Sequence, residues 1–186
     1  MNFFDLFAPI YDRLFHPDLG EFCQQGGFVN EGFILDIGGG TGRIAQTLLS
    51  TNRKVIIADL SIKMLSQAKK REQLLLIVAN GADLPFDESC ITAVLIADAY
   101  HHFQQREKVI LEVKRVLAKK GELVIFEPNI KKLPVKFIAL LENWLGMHSK
   151  FFKIHEIENR VKEFGFRIVE KKEEGTSIFL CFKKGN

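Results

Sequence analysis

Short apolar runs and longer amphipathic runs alternate along most of this chain. Phe33–Asp36 ("FILD") is apolar up to a closing acid and reads as a first strand. Arg43–Ser50 follows as a helix with Ile44, Ala45, Leu48 and Leu49 turned inward. Lys54–Asp59 ("KVIIAD") is a second strand. Ser61 then caps a helix running to about Glu72, with Ile62, Leu65 and Ala68 at helical spacing. Further strands are expected at Leu74–Ala79, Ala93–Asp98 and Glu122–Glu127, with a helix over Gln105–Leu117 between the last two. Ile154–Phe164 reads as a helix closed by Gly165. Phe166–Lys172 and Ile178–Lys183 read as closing strands joined through Gly175.

Nearly unbroken apolar strands separated by helices bury both faces of a parallel sheet. The pattern therefore predicts an α/β fold with a seven-stranded, mostly parallel, Rossmann-like sheet and helices on both faces. The last two strands have only a turn between them, so they pair antiparallel at one edge. Two segments stand outside the repeat. Residues 1–30 are rich in aromatics (Phe3, Phe4, Phe7, Tyr11, Phe15, Phe22, Phe28), and 128–153 interrupt the pattern with "LPVKFIALLENWLG". Both are expected to cover the carboxyl edge of the sheet, the first as a lid and the second as a cap, within one domain over 1–186.

Composition narrows the classes of function. Of 186 residues, 47% are hydrophobic, enough for a sizeable core, and the net charge is only +3. The first hundred residues carry 8 of the Lys and Arg against 12 of the Asp and Glu, so the positive excess lies in the remainder. Without a patch, that asymmetry is no nucleic-acid footprint. Cys23, Cys90 and Cys181 are odd in number and far apart, and no histidine pair has zinc-ligand spacing, so neither a disulfide framework nor a metal cage is expected. The opening "MNFFDLFAPIYD" has Asp5 and Asp12 and no basic stretch, which does not suit a secretion signal; a reducing cytoplasm is the expected compartment.

The chemistry-bearing stretch is "ILDIGGGTGRIA", residues 34–45. A strand, a glycine loop and a helix place free N–H groups where an anionic group or bare backbone contact is wanted. Gly38, Gly40 and Gly42 give G-x-G-x-G with Asp36 just before them, which departs from the dinucleotide spacing. Arg43–Ile44 replaces the Lys–Ser/Thr pair of a P-loop. Asp59 ends the second strand, where an acid can accept both hydroxyls of a ribose. Asp83, in "NGADLPF", could accept from an exocyclic adenine amine, and Asp36 sits where a cationic amine could lie. Together these acids suit an adenosine with an amino-acid tail better than one with a pyrophosphate.

"LDIGGGTGRIA", "IADLSIKMLSQAK", "GADLPFDES", "DAYHHF" and "EVKRVLAKKGELVIFEP" together resemble the successive motifs of class I S-adenosylmethionine-dependent methyltransferases. The likeness is greatest to the group that includes the quinone-biosynthesis C-methyltransferases, and it covers roughly residues 28–128. It implies S-adenosyl-L-methionine as cofactor, with its methionine part held by Asp36 and the backbone of Gly38, Gly39 and Gly40. Asp59 would bind the ribose, Leu60 and Met64 would flank the adenine, and Ala82, Asp83 and Leu84 would frame its edge. Asp98 and Ala99 would lie under the sulfonium, and Tyr11 would belong to the lid. Ile91–Thr92 stands where the family generally has Phe-Asp, which weakens assignment to any one subfamily.

His101 and His102 follow the fourth strand at the mouth of the expected site. They are the candidates for catalysis, as substrate-orienting group or general base, with His101 slightly favoured of the two; structural packing ranks ahead of either role. Tyr11, Tyr100 and Trp144 are the substrate-side candidates. The run Leu133–Leu145 sets Val135, Ile138, Leu141 and Leu145 on one apolar stripe, read in order as pocket roof, core, or a weak membrane-surface contact over 131–145. "DAYHHF" stands where nucleic-acid amino-methylating enzymes carry Asn/Asp-Pro-Pro-aromatic, and no Pro-Cys nucleophile is present. The expected acceptor is therefore a small apolar or aromatic molecule, with no nucleic-acid partner. Competing readings are methylation of RNA or protein, a nicotinamide dehydrogenase, and a nucleotide-binding protein without chemistry. The oligomeric state is not legible in the sequence.

Overall fold

In a computed structural model, residues 31–144 and 149–185 are described. The lid segment 1–30, with Tyr11, lies outside them. Seven strands form one sheet: β1 Gly32–Ile37, β2 Arg53–Asp59, β3 Leu75–Val78, β4 Ile91–Ala97, β5 Leu117–Pro128, β6 Phe166–Glu174 and β7 Ser177–Lys184. Their order is β3-β2-β1-β4-β5-β7-β6. All pairs from β3 to β5 are parallel, and β7 pairs antiparallel with both β5 and β6. The antiparallel strand is thus one place in from the edge, which β6 forms. The short β6–β7 turn through Gly175 makes these two strands neighbours, and β7 is the one that pairs with β5.

The helices are α1 Arg43–Thr47, α2 Ile62–Ala68, α3 Arg106–Val116, α4 Leu133–Trp144 and α5 Ile154–Glu163. Alternation along each strand feeds two cores. Ile34, Val55, Ile57, Ala93 and Leu95 face Ala45 of α1, Leu48 just after it, and Leu65 and Ala68 of α2. Leu35, Ile37, Val94 and Ile96 face Val109, Ile110 and Val113 of α3 and Ile157 and Val161 of α5. Burial on both sides explains why β1 and β4 are apolar apart from Asp36 and Thr92. One boundary differs from expectation. β5 starts at Leu117, against Ile91, and then bulges through 118–121 before Glu122 meets Ala93. The charged Lys119–Lys120 pair lies in that bulge, where Lys120 takes a left-handed φ of 62°.

The order of strands reverses direction between β1 and β4. A crevice for a ligand opens at such a switch point, beyond the carboxyl ends of the strands. Asp36 sits there, in register with Ile57 of β2 and Leu95 of β4.

Candidate active site

Each strand that borders the switch point ends in an acid, and the acids do different work. Asp36 follows Ile34 and Leu35 in β1 and turns to the side of the sheet covered by α1 and α2. It is buried, and neither carboxyl oxygen has a hydrogen-bond partner. Burial pushes its pKa up to about 8, and the charge of Asp59 adds to the shift. Gly39 lies directly over it: a Cβ there would stand 2.5 Å from Asp36 Oδ2. Only glycine lets the loop approach the carboxyl this closely.

Asp59, at the end of β2, holds the loop in shape. Its Oδ2 accepts from Gly40 N at 3.0 Å, and its Oδ1 accepts from Ser61 N at 2.7 Å. Gly40 adopts φ 55°, which turns its N–H toward that carboxylate. Ser61 Oγ accepts in turn from Met64 N at the start of α2, at 3.2 Å. One carboxylate therefore ties the glycine loop to the α2 N-terminus. Met64 is buried beneath Gly40, while Leu60 is 65% exposed at the rim. The loop after β3 closes this side: Ala79 N donates to Asp59 O at 3.2 Å, and Gly81 packs against Ile37. In that loop Ala82 is half-buried and Asp83 exposed. Leu84 is buried in the core. Its N–H donates to Glu112 and its carbonyl accepts from Arg115, which fixes the main chain of this loop.

On the other side, Asp98 takes φ 50° at the end of β4, and its N–H donates to Phe126 O at 2.9 Å. Ala99 packs against Gly38. Glu127, at the end of β5, fixes this turn. Its Oε1 accepts from the N–H groups of Ala99 and Tyr100 at 2.9 and 2.8 Å, and its Oε2 lies 2.6 Å from His101 Nδ1. Sequence reasoning gave Glu127 no role. The signal was there: an acid closing the otherwise apolar run "LVIF" must find donors. Arg71 was also passed over. It donates to Thr41 O and Gln46 Oε1, bracing the back of the glycine loop.

The catalytic and substrate candidates do not gather as expected. His101 is buried, stacked on Phe151 with ring centroids 4.3 Å apart, and hydrogen-bonded to Glu127, so it serves to fix the turn. His102 Nδ1 meets Ser149 Oγ at 3.0 Å. Burial, followed by the proximity of His101 and Arg106, pushes its pKa down to about 2. A base that weak takes up little proton at neutral pH, which counts against His102 as general base. Tyr100 is wholly buried, edge-on to Phe103 and Phe152, and has no surface for a substrate. Trp144 is 80% exposed and roofs nothing among the described residues. The adjacent carbonyls have a use of their own: His101 O accepts from Lys150 N, pinning residues 149–152 of the expected cap onto this turn. Among the described residues no group of three or more His, Cys, Asp or Glu side chains is placed to hold a metal ion.

Comparison with known proteins bears directly on these features. A family model described as a methyltransferase domain matches residues 35–125, from β1 through β5. The chain belongs to the class I S-adenosylmethionine-dependent methyltransferases. It is 35% identical over 131 residues to a demethylmenaquinone methyltransferase of Thermotoga maritima, covering 67% of this chain and 57% of that protein. It is 30% identical over 180 residues to an uncharacterized protein of Methanocaldococcus jannaschii, covering 91% and 83%. The chain spans about half the length of the quinone-biosynthesis methyltransferases it matches. In structure it is similar to a phosphoethanolamine N-methyltransferase of Haemonchus contortus solved with S-adenosyl-L-methionine. That likeness has a TM-score of 0.79 at 16% identity, over 98% of this chain and 57% of the other. The residues present suit that cofactor: a buried carboxyl without partners awaits a cation, and backbone bare of Cβ lies over it.

Proposed function

We propose that this protein transfers the methyl group of S-adenosylmethionine to a small apolar or aromatic acceptor. Asp36 carries the reading. A carboxyl group with both oxygens buried and unpartnered is costly, and a bound cation offsets that cost. The α-amino group of the cofactor supplies such a cation. Gly38, Gly39 and Gly40 hold the methionine part by their backbone, and Asp59 accepts the ribose hydroxyls. Leu60, Met64, Ala82 and Asp83 flank the adenine, and Asp98 and Ala99 border the sulfonium.

When bound, the cofactor supplies an activated methyl group on a positively charged sulfur with a neutral leaving group. The chain's own part is to hold and to orient. Glu127 and His101 fix the turn that carries Asp98 and Ala99, and residues 128–153 act as a cap whose 149–152 arm rests on that turn. In this role His101 is a positioning residue.

The acceptor class draws support from two sides. A relative is named for action on demethylmenaquinone, and "DAYHHF" lacks the nucleic-acid amino-methylation motif. A cytoplasmic location accords with the unpaired Cys90 and Cys181. The test is mass spectrometry of cell extract fractions incubated with the protein and isotopically labelled cofactor, beside an Asp59→Ala variant. Label is expected in a small organic-soluble product, and the variant is expected to bind cofactor more weakly by about 1–3 kcal/mol. Label in RNA or protein overturns the acceptor assignment. Calorimetric binding without label in any fraction overturns the enzymatic one.

A further inference from the structure

α4 carries large apolar side chains on its exposed face as well as apolar ones on its buried face. A helix on a globular protein normally turns its apolar stripe to the core. Here Val135 and Ala139 make the buried contacts, while Leu133, Phe137, Leu140 and Trp144 are 78%, 73%, 68% and 80% exposed. Those four recur at i, i+4, i+7 and i+11, which places them in one line along the helix. Lys132 and Lys136 are exposed beside the line. Lys131 is already paired with Glu173 at 2.9 Å and is left out of the count. A line of large apolar side chains ending in a tryptophan and flanked by exposed lysines has the composition of an interfacial helix, which lies in the headgroup layer of an anionic bilayer.

We propose that α4 docks flat on an anionic lipid surface, with Leu133, Phe137, Leu140 and Trp144 entering the headgroup–acyl boundary and Lys132 and Lys136 meeting lipid phosphates. No helix among the described residues is long and apolar enough to cross a membrane, so the contact is peripheral. The placement gives the contact a use. α4 leaves the carboxyl end of β5, the same edge at which Asp36, Asp59 and Asp98 bound the crevice. Docking therefore turns the mouth of the site toward the bilayer, where an apolar acceptor concentrates. That use rests on the acceptor class proposed above; the docking itself does not.

Trp144 is the only tryptophan in the chain, so its emission reports on the helix directly. The full-length protein is titrated with phosphatidylcholine vesicles and with vesicles containing phosphatidylglycerol, and cofactor binding is measured by calorimetry on the same samples. A blue shift is expected on the anionic vesicles only, reversed by salt. Phe137→Glu is expected to abolish it. Lys132→Gln with Lys136→Gln is expected to weaken vesicle binding about tenfold or more, since each lysine near the surface contributes on the order of 1 kcal/mol. Cofactor affinity is expected to be unchanged in both variants, which shows that they remain folded.

No shift on either vesicle, or an equal shift on both, overturns the proposal. A shift that appears without lipid as protein concentration rises assigns the stripe to a second copy of the chain and also overturns it. Blue emission in the dilute, lipid-free protein assigns it to cover within the chain, with the same consequence. Vesicle binding without cofactor binding leaves docking intact and sinks the methyltransferase reading; cofactor binding without vesicle binding does the reverse.

Discussion

A buried carboxyl with nothing to accept from stays protonated well above the pH at which an exposed one ionises. For Asp36 the interval runs from the ordinary 3.8 to about 8. Within it the folded, cofactor-free chain binds a proton that the unfolded chain has lost. Stability must therefore fall as pH rises through that window and level off above about 8. A cation placed against Asp36 reverses the preference and expels the proton. Cofactor binding at neutral pH is thus expected to release a proton, and affinity to rise with pH up to about 8 by at most about tenfold per unit. Asp36→Asn should abolish both effects and flatten the stability profile. Calorimetry in two buffers of different ionisation enthalpy reads the proton directly. No release from the native protein would mean that the cation lies elsewhere. The role of Asp36 was legible because it is local: an acid beside glycines at a strand end. The fate of His101 was not. Its partner, Glu127, lies at the far end of the next strand, beyond a whole helix, and only β4–β5 pairing brings the two together.

At the scale of elements, the strands were legible wherever both faces are buried. β1, β2 and β4 are apolar runs that no surface helix would carry. Two features were harder to see. Lys119 and Lys120 read as the loop after a helix, although Leu117 before them already pairs with Ile91. The expected stripe of α4 includes Val135, which is buried, but the exposed apolar line of Leu133, Phe137, Leu140 and Trp144 was not singled out. A helix apolar on most sides offers two stripes, and periodicity alone cannot choose between them. The joint between β4 and β5 is open to test. Glu127 faces two backbone N–H donors and one imidazole, so it needs acceptors on both oxygens. Glu127→Gln keeps the shape but sets an NH2 group against a donor. A loss of about 1–3 kcal/mol in unfolding free energy is expected, together with weaker cofactor binding through the displaced Asp98–Ala99 turn. Denaturant melts and calorimetry on one sample measure both. An unchanged melt would show that the turn is held by other contacts.

For the whole molecule, the glycine loop, the Asp59 bridge and the Glu127 turn lie on neighbouring strand ends, each tied to the sheet by hydrogen bonds. A ligand that engages all three joins parts of the fold that otherwise open separately. It must then raise the unfolding temperature of the entire domain, by an amount set through mass action. At a hundredfold excess over Kd the gain is about 2.7 kcal/mol. For a chain of this size that corresponds to an upward shift of about 5–10 °C. S-adenosylmethionine and its demethylated product are both expected to give a shift of this order, because both carry the amino-acid tail and the ribose. A nicotinamide dinucleotide is expected to give none. Its pyrophosphate would be driven against Asp36 and Asp59, and its second nucleoside has no ammonium N–H groups to donate to the Asp36 carboxylate. The reverse ranking, with the dinucleotide stabilising and the sulfonium nucleoside inert, would mean that the crevice binds through the loop N–H groups alone. The buried acid at position 36 would then be an unrelieved cost of the fold.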